Sequence, residues 1–203
     1  MYVPTHFQAN DDALVDELID DYSFATLVSQ RDGEPFATHL PLMRERRDGR
    51  TVLVGHLAGA NPHWRAFGEA PVMAIFQGPH GYVSPNLVPT WNYAAIHCYG
   101  RVRIVDDAAQ ARAILAKMVE RYEGGRAGRW TMSLDPEFEA KLVAAIVAFE
   151  IDVERIEAKI KLSQNRAPVD RRSLLAALDA DAGAAELAAL TRRVLAPTDE
   201  QGG

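Results

Sequence analysis

Two long stretches of this sequence alternate with a period of two, and they set the terms for the rest of the chain. In residues 91–105, Trp91, Tyr93, Ala95, His97 and Tyr99 fall on one side, and Asn92, Ala94, Ile96 and Cys98 on the other. In residues 146–162, Val147, Phe149, Ile151 and Val153 alternate with Glu150, Asp152 and Glu154. Successive side chains of a strand point to opposite faces, so both stretches read as strands.

Shorter strands are expected at 23–29, 36–43, 51–57 and 72–76. Arg31-Asp32-Gly33-Glu34 and Asp48-Gly49 supply turns between them. In the second of these strands Phe36, Thr38, Leu40 and Leu42 share a face, opposite Ala37, His39 and Pro41. Pro41 has no N–H to give to a ladder, which places this strand at an edge or a bulge. Pro79, Gly81, Pro85 and Pro89 mark residues 78–90 as loop-rich.

Helical signals lie between and after the strands. Asn10 reads as an N-cap, with Asp11 and Asp12 in the first turn and a stripe of Leu14, Leu18 and Tyr22, widened by Val15 and Ile19. Asn61-Pro62 opens a short helix through Trp64 and Phe67. Asp106 or Asp107 caps a helix with the stripe Ala111, Ile114, Leu115, Met118 and Tyr122, ended by Gly124-Gly125. Asp135-Pro136 opens another. Beyond Arg166, Leu174, Leu175 and Leu178, then Leu187, Leu190 and Val194, mark two alanine-rich helices. Strands joined by hairpins, without regular βαβ alternation, predict a β-rich α+β fold: an antiparallel barrel with peripheral helices. The expected organisation is a barrel domain over 1–168, a helical extension over 169–196 and a disordered tail over 197–203.

With 203 residues, 48% of them hydrophobic, the chain can bury a core, and one domain with a small appendage suits its size. No apolar run approaches the ~20 residues of a membrane span. MYVPTHFQAND lacks the pattern of a secretory signal, and the single cysteine, Cys98, cannot form an internal disulfide, so a cytoplasmic location is expected. The formal net charge is −6, which gives no support to DNA as a partner, because phosphate neutralisation favours a basic surplus.

Familiar catalytic patterns are missing from the sequence. The six histidines, His6, His39, His56, His63, His80 and His97, have no zinc-like spacing. There is no G-x-G-x-x-G, no P-loop and no G-x-S-x-G elbow. Cys98 sits in mid-strand and reads as a packed residue.

Four clusters stand out instead. They are Thr38-His39-Leu40-Pro41; Gly55-His56-Leu57-Ala58 with Asn61-Pro62-His63-Trp64; Val88-Pro89-Thr90-Trp91-Asn92-Tyr93; and Lys159-Ile160-Lys161-Leu162-Ser163-Gln164-Asn165-Arg166. Singly, each has a plain structural reading: core histidines, core aromatics, a solvated basic face. Together they suit flavin mononucleotide. Its phosphate needs cations, hydroxyls and free N–H groups, which Lys159, Lys161, Ser163 and Arg166 and the helix start at Asn61 offer. Thr38 or His56 is expected nearby. Its ring needs apolar walls and fixed donors, for which Leu40, Leu57 and Trp91 are candidates. His39, His56 and Tyr93 are expected to position the ring without being consumed, and Asn92 and Gln164 complete the candidate set. No side chain is expected to catalyse.

The same clusters carry a resemblance. Gly55-His56-Leu57-Ala58-Gly59-Ala60-Asn61-Pro62-His63-Trp64 resembles the GHLARANP-x-W signature of the PaiB family. Thr38–Pro41, Val88–Tyr93, Lys161-Leu162-Ser163-Gln164-Asn165 and the opening Met1-Tyr2-Val3-Pro4 with Phe7 are similar to that family too. The resemblance implies a split β-barrel like that of the pyridoxamine-phosphate oxidases and flavin reductases, a homodimer, FMN at the subunit interface, and a role as a negative transcriptional regulator or a flavin-dependent redox protein. Haem binding or a plain flavin reductase is the alternative. Two departures are visible: Gly59 stands where the family has Arg, and only Asn86-Leu87 joins Tyr82-Val83-Ser84-Pro85 to Val88.

Overall fold

The computed structural model describes residues 1–68, 70–84 and 89–196. The expected tail at 197–203 and the shortened junction at 85–88 lie outside the described residues. Among the described residues there are seven strands: β1 (Phe24–Arg31), β2 (Glu34–Pro41), β3 (Met43–Arg47), β4 (Arg50–Ala58), β5 (Val72–Val83), β6 (Thr90–Ile104) and β7 (Ile146–Lys161). The α-helices are α1 (Asp12–Asp21), α2 (Ala108–Glu123), α3 (Pro136–Ala144), α4 (Pro168–Ala180) and α5 (Ala185–Leu195). No helix among the described residues is long and apolar enough to cross a membrane. Contacts divide the chain into two units, one of residues 1–15, 77–96 and 157 onward, the other of residues 16–76 and 97–156.

The hairpins form where the turn chemistry asks for them. Asp32 and Gly33 take φ of 52° and 82°, and Asp48 and Gly49 take 50° and 77°. Two consecutive positive-φ residues match the right-handed twist of the strands they join. They set the antiparallel registers Arg31↔Glu34 to Phe24↔Pro41 and Arg47↔Arg50 to Met43↔Val54.

The hydrogen-bonded order is β2-β1-β5-β6-β7-β4-β3. β2 and β3 stand at opposite ends of this order, yet only Leu42 separates them in the chain. The two sheet edges therefore meet at Leu42, and the sheet closes on itself as the expected split barrel. Leu42 is fully buried, and its N–H donates to Ser23 O at 2.9 Å. On β4, a Cβ at Gly55 would stand 2.8 Å from Leu42 Cδ2 and 3.2 Å from Pro41 O, so any larger residue would have to displace Leu42 at the seam.

The sequence-based reading needs three corrections. Strand 36–43 is two strands broken at Leu42, which raises the count from about six to seven. β5 does not stop at Phe76 but runs on through Gly78, Pro79 and Gly81 to Val83. Burial alternates through Val72, Ala74, Phe76 and Gly78, then Pro79 is buried as well and Val83 follows in the opposite phase. That one-residue shift is the mark of a bulge, where a missing N–H and a glycine are tolerated. Asp11, not Asn10, caps α1: its Oδ1 accepts from Ala13 N at 2.9 Å and Leu14 N at 3.1 Å.

In the second unit α2 lays Ala111, Ile114 and Met118 on a core of Met43, Val52, Val54, Val105 and Ala148. In the first unit α4 buries Leu174 and Leu178, and α5 buries Leu187, Ala188 and Leu190. A Cβ at Gly81 of β5 would come to 3.0 Å from Leu187 Cδ2, so α5 packs directly on that strand.

Candidate cofactor site

The predicted site residues fall into two groups, one in each unit. The first group gathers β6 and the segment after β7. Lys161 Nζ donates to Thr90 Oγ1 at 2.5 Å and to Trp91 O at 2.9 Å. Lys159 Nζ donates to Tyr2 O at 3.2 Å and lies 5.5 Å from the ring centroids of both Tyr2 and Tyr93. Ser163 donates its hydroxyl to Oδ1 of the fully buried Asn92 at 3.1 Å, from a backbone held at φ 66°. Asn92 Nδ2 is buried with no acceptor among the described residues.

Gln164 spends both ends of its amide on the backbone: Oε1 accepts from Leu162 N at 2.7 Å, and Nε2 donates to Ile160 O. It braces the turn that carries Ser163. The Arg166 carbonyl accepts from Arg171 Nε at 2.8 Å, which ties the turn to α4. Trp91 is 55% exposed, with Tyr82 edge-on at 6.1 Å and His80 at 6.5 Å between ring centroids.

The second group is in the other unit and centres on His63, which was only one letter of a cluster in the sequence. His63 is fully buried. Its Nδ1 meets Thr38 Oγ1 at 2.8 Å, and its Nε2 meets Ser29 Oγ at 2.8 Å. Asn61 caps the short 3-10 helix Pro62–Ala66 by accepting from His63 N at 3.0 Å, and its Nδ2 donates to Thr38 Oγ1 at 3.2 Å. Phe36 and Phe67 flank the ring at 4.9 Å and 5.3 Å. Burial holds the His63 imidazole below the ordinary histidine range.

The remaining predicted residues are placed as follows. Leu40 and Leu57 are buried. His39 is on the face opposite Thr38 and Leu40, exposed, with Nδ1 3.0 Å from Thr26 Oγ1 and its ring stacked on Phe24 at 6.5 Å. His56 is half-buried on β4, its Nδ1 enclosed without a partner among the described residues, and burial lowers its pKa. An unpaired buried acceptor is cheaper than an unpaired buried donor, so the proton belongs on Nε2. Gly59 is glycine for a local reason: it donates to Ala145 O at 2.8 Å, and a Cβ there would stand 3.1 Å from that same carbonyl.

The donor set suits a phosphorylated, oxygen-rich cofactor. Lys159, Lys161 and Arg166 have no carboxylate partner among the described residues, although the chain carries a net charge of −6. By contrast the arginines flanking the Asp48-Gly49 turn are largely neutralised. Arg44 meets Asp20 at 2.6 Å and Asp16 at 3.2 Å, Arg46 meets Asp16 at 2.8 Å, and Arg47 meets Glu45 at 2.6 Å and Glu150 at 2.9 Å. No group of three or more metal-ligating side chains occurs among the described residues. A cleft of about 590 Å³ lies between α2 and α3, walled by Val105, Ala111, Ala140, Val143 and Ala148, and none of the predicted site residues lines it.

Comparison with known proteins agrees with this chemistry. Residues 1–155 match a family model described as "Putative FMN-binding domain". The chain is 37% identical over 183 residues to the Protease synthase and sporulation protein PAI 2 of Bacillus subtilis, covering 86% of this chain and 87% of that protein. Among solved structures, the FAD and heme binding protein from Mycobacterium smegmatis aligns with a TM-score of 0.61 at 23% identity, covering 76% of this chain and 73% of that one. The flavocytochrome Anf3 from Azotobacter vinelandii aligns with a TM-score of 0.64 at 17% identity, covering 79% and 72%. At these identities the structural likeness is one of fold.

Proposed function

The chain belongs to the FMN-binding domain family, and on that premise we propose that it is an FMN flavoprotein whose phosphate rests on the Lys161, Ser163 and Arg166 group. The observation that carries this reading is the set of three cations at 159, 161 and 166 without carboxylate partners among the described residues. Lys161 is held in place by two neutral oxygens, so its charge stays available to an outside anion. A phosphate dianion pairs strongly with such groups.

When bound, FMN supplies hydride and electron transfer, which asks the protein only for binding, orientation and electrostatics. The residues suit that division of labour. Trp91, in the same unit as those cations, offers a broad apolar face. A homodimer is part of the proposal: Tyr2, Tyr82 and Trp91 leave more than half of their surface exposed in one unit. A regulatory role through direct DNA contact gains nothing from the β3 arginines, because carboxylates already neutralise them. Haem gains nothing from His63, whose two ring nitrogens are both engaged by hydroxyls.

The absorption spectrum of the purified protein, before and after adding FMN and removing the excess, tests this. Retained flavin bands near ~450 nm are expected. A Soret band, or no FMN retained at micromolar protein, would overturn the reading.

A further inference from the structure

The hydrogen bonds around His63 can be resolved into donors and acceptors, and the result fixes the direction of the Thr38 hydroxyl. Asn61 Oδ1 accepts from His63 N, which leaves the Asn61 amide nitrogen facing Thr38. One lone pair of Thr38 Oγ1 is therefore taken by a donated proton. The contact between Thr38 Oγ1 and His63 Nδ1 can run either way: the hydroxyl gives its proton to the ring, or the ring gives its proton to the hydroxyl.

Ser29 decides between them. It is buried, and His63 Nε2 is the one side-chain partner of its hydroxyl among the described residues. If Nε2 carried the proton, the Ser29 hydroxyl would accept it and have no acceptor for its own hydrogen. A buried donor left unpaired is costly. If Nδ1 carries the proton, Ser29 donates to Nε2, Nδ1–H donates to Thr38, and every buried hydrogen in the chain of contacts has an acceptor. Burial keeps the ring neutral, so only one nitrogen is protonated.

We propose that His63 is a positioning residue. Its Nδ1–H, together with Asn61 Nδ2–H, fills both lone pairs of Thr38 Oγ1 and turns the half-buried Thr38 O–H outward as a donor to an oxygen of bound FMN, phosphate or carbonyl. The ligand clause rests on the FMN reading above, and the tautomer does not. Ser29, His63 and Asn61 then act at a distance from the cofactor, and of these four residues Thr38 is the one that touches it.

Long-range nitrogen–proton NMR of the FMN-free protein, with the His63 signals assigned through His63→Gln, tests the tautomer without any ligand. A protonated, pyrrole-type Nδ1 and a bare, pyridine-type Nε2 are expected, and the reverse pattern would overturn the proposal. FMN titration of Thr38→Val and Thr38→Ser tests the donor. Val is expected to weaken FMN binding about tenfold and Ser to restore it, the size of one hydrogen bond to a polar or charged acceptor. If wild-type protein binds FMN but Thr38→Val binds it equally well with an unchanged fold by circular dichroism, the hydroxyl does not face the cofactor and the proposal fails. Failure of the wild-type protein to bind FMN would instead overturn the FMN reading while leaving the tautomer measurement to stand or fall by itself.

Discussion

Ser163 and Asn92 hold each other in states that neither would choose alone. Ser163 sits at φ 66°, a region non-glycine residues seldom enter, and Asn92 is fully buried with only its Oδ1 answered, by the Ser163 hydroxyl. Strain of this kind persists where the surroundings over-determine it, and it clusters at ligand sites. Ser163→Ala keeps the strain and strips the last partner from Asn92, and should destabilise the fold by about 1–3 kcal/mol. Ser163→Gly loses the same bond but relaxes the backbone, and should cost less. Urea unfolding of the two variants checks the order; an alanine variant as stable as wild type would mean the bond contributes nothing.

Lys161→Met should weaken FMN binding roughly tenfold or more, the loss of one charged contact to a phosphate. Lys161 also anchors the start of β6 through Thr90 and Trp91, so the titration is read beside a thermal melt. An unchanged dissociation constant in a variant with a normal melt would place the phosphate elsewhere.

Acid should destabilise the protein through its buried imidazoles. Burial lowers the pKa of both His56 and His63 from the ordinary 6.5, so the unfolded chain takes up protons that the folded one refuses. The stability this represents is complete above about pH 6.5 and is lost as the pH falls through that value toward the lower folded pKa values. Unfolding midpoints measured from about pH 8 to about pH 5 should fall less steeply in His56→Gln and His63→Gln than in wild type. Parallel slopes in all three proteins would assign the acid sensitivity to other groups.

Cys98 should be inert. It is wholly buried on β6, and burial pushes its thiol up to about 12. The thiolate is the reactive species, so native protein at about pH 8 should resist a maleimide or iodoacetamide for hours and label fully in denaturant. Mass spectrometry reads both states, and stoichiometric labelling of the native protein would contradict the packing described for β6.

The elements that could be read from sequence are those whose signal is local. Period-two alternation located β6 and β7 to within about a residue, and the Asp-Gly pairs announced both hairpins. β3 escaped because it is made of Met43, Arg44, Glu45, Arg46 and Arg47, which look like a solvated turn. Its arginines are held by Asp16, Asp20 and Glu150, far away in the chain. The far half of β5 escaped because proline and glycine are turn formers until a neighbouring strand turns them into a bulge. In the candidate site, the cationic run from Lys159 to Arg166 was visible as a run. His63 was visible only as one letter of a motif, since the hydroxyls that define its role come from residues 34 and 25 positions earlier. A close look at the residue two places after the Asn61 cap could have raised it.

The seam at Leu42 sets where this protein can change length. Because one residue connects the two edges of the sheet, adding or deleting a residue there would invert which side of β3 faces inward, putting Arg44 and Arg46 where Met43 and Glu45 now stand. Insertions at Asp32-Gly33 or Asp48-Gly49 would only lengthen a loop. A library of single-residue insertions scored for soluble expression should therefore show a sharp gap at residues 41–43 between two permissive turns. Natural length variation in this part of the fold would be confined to those same two places.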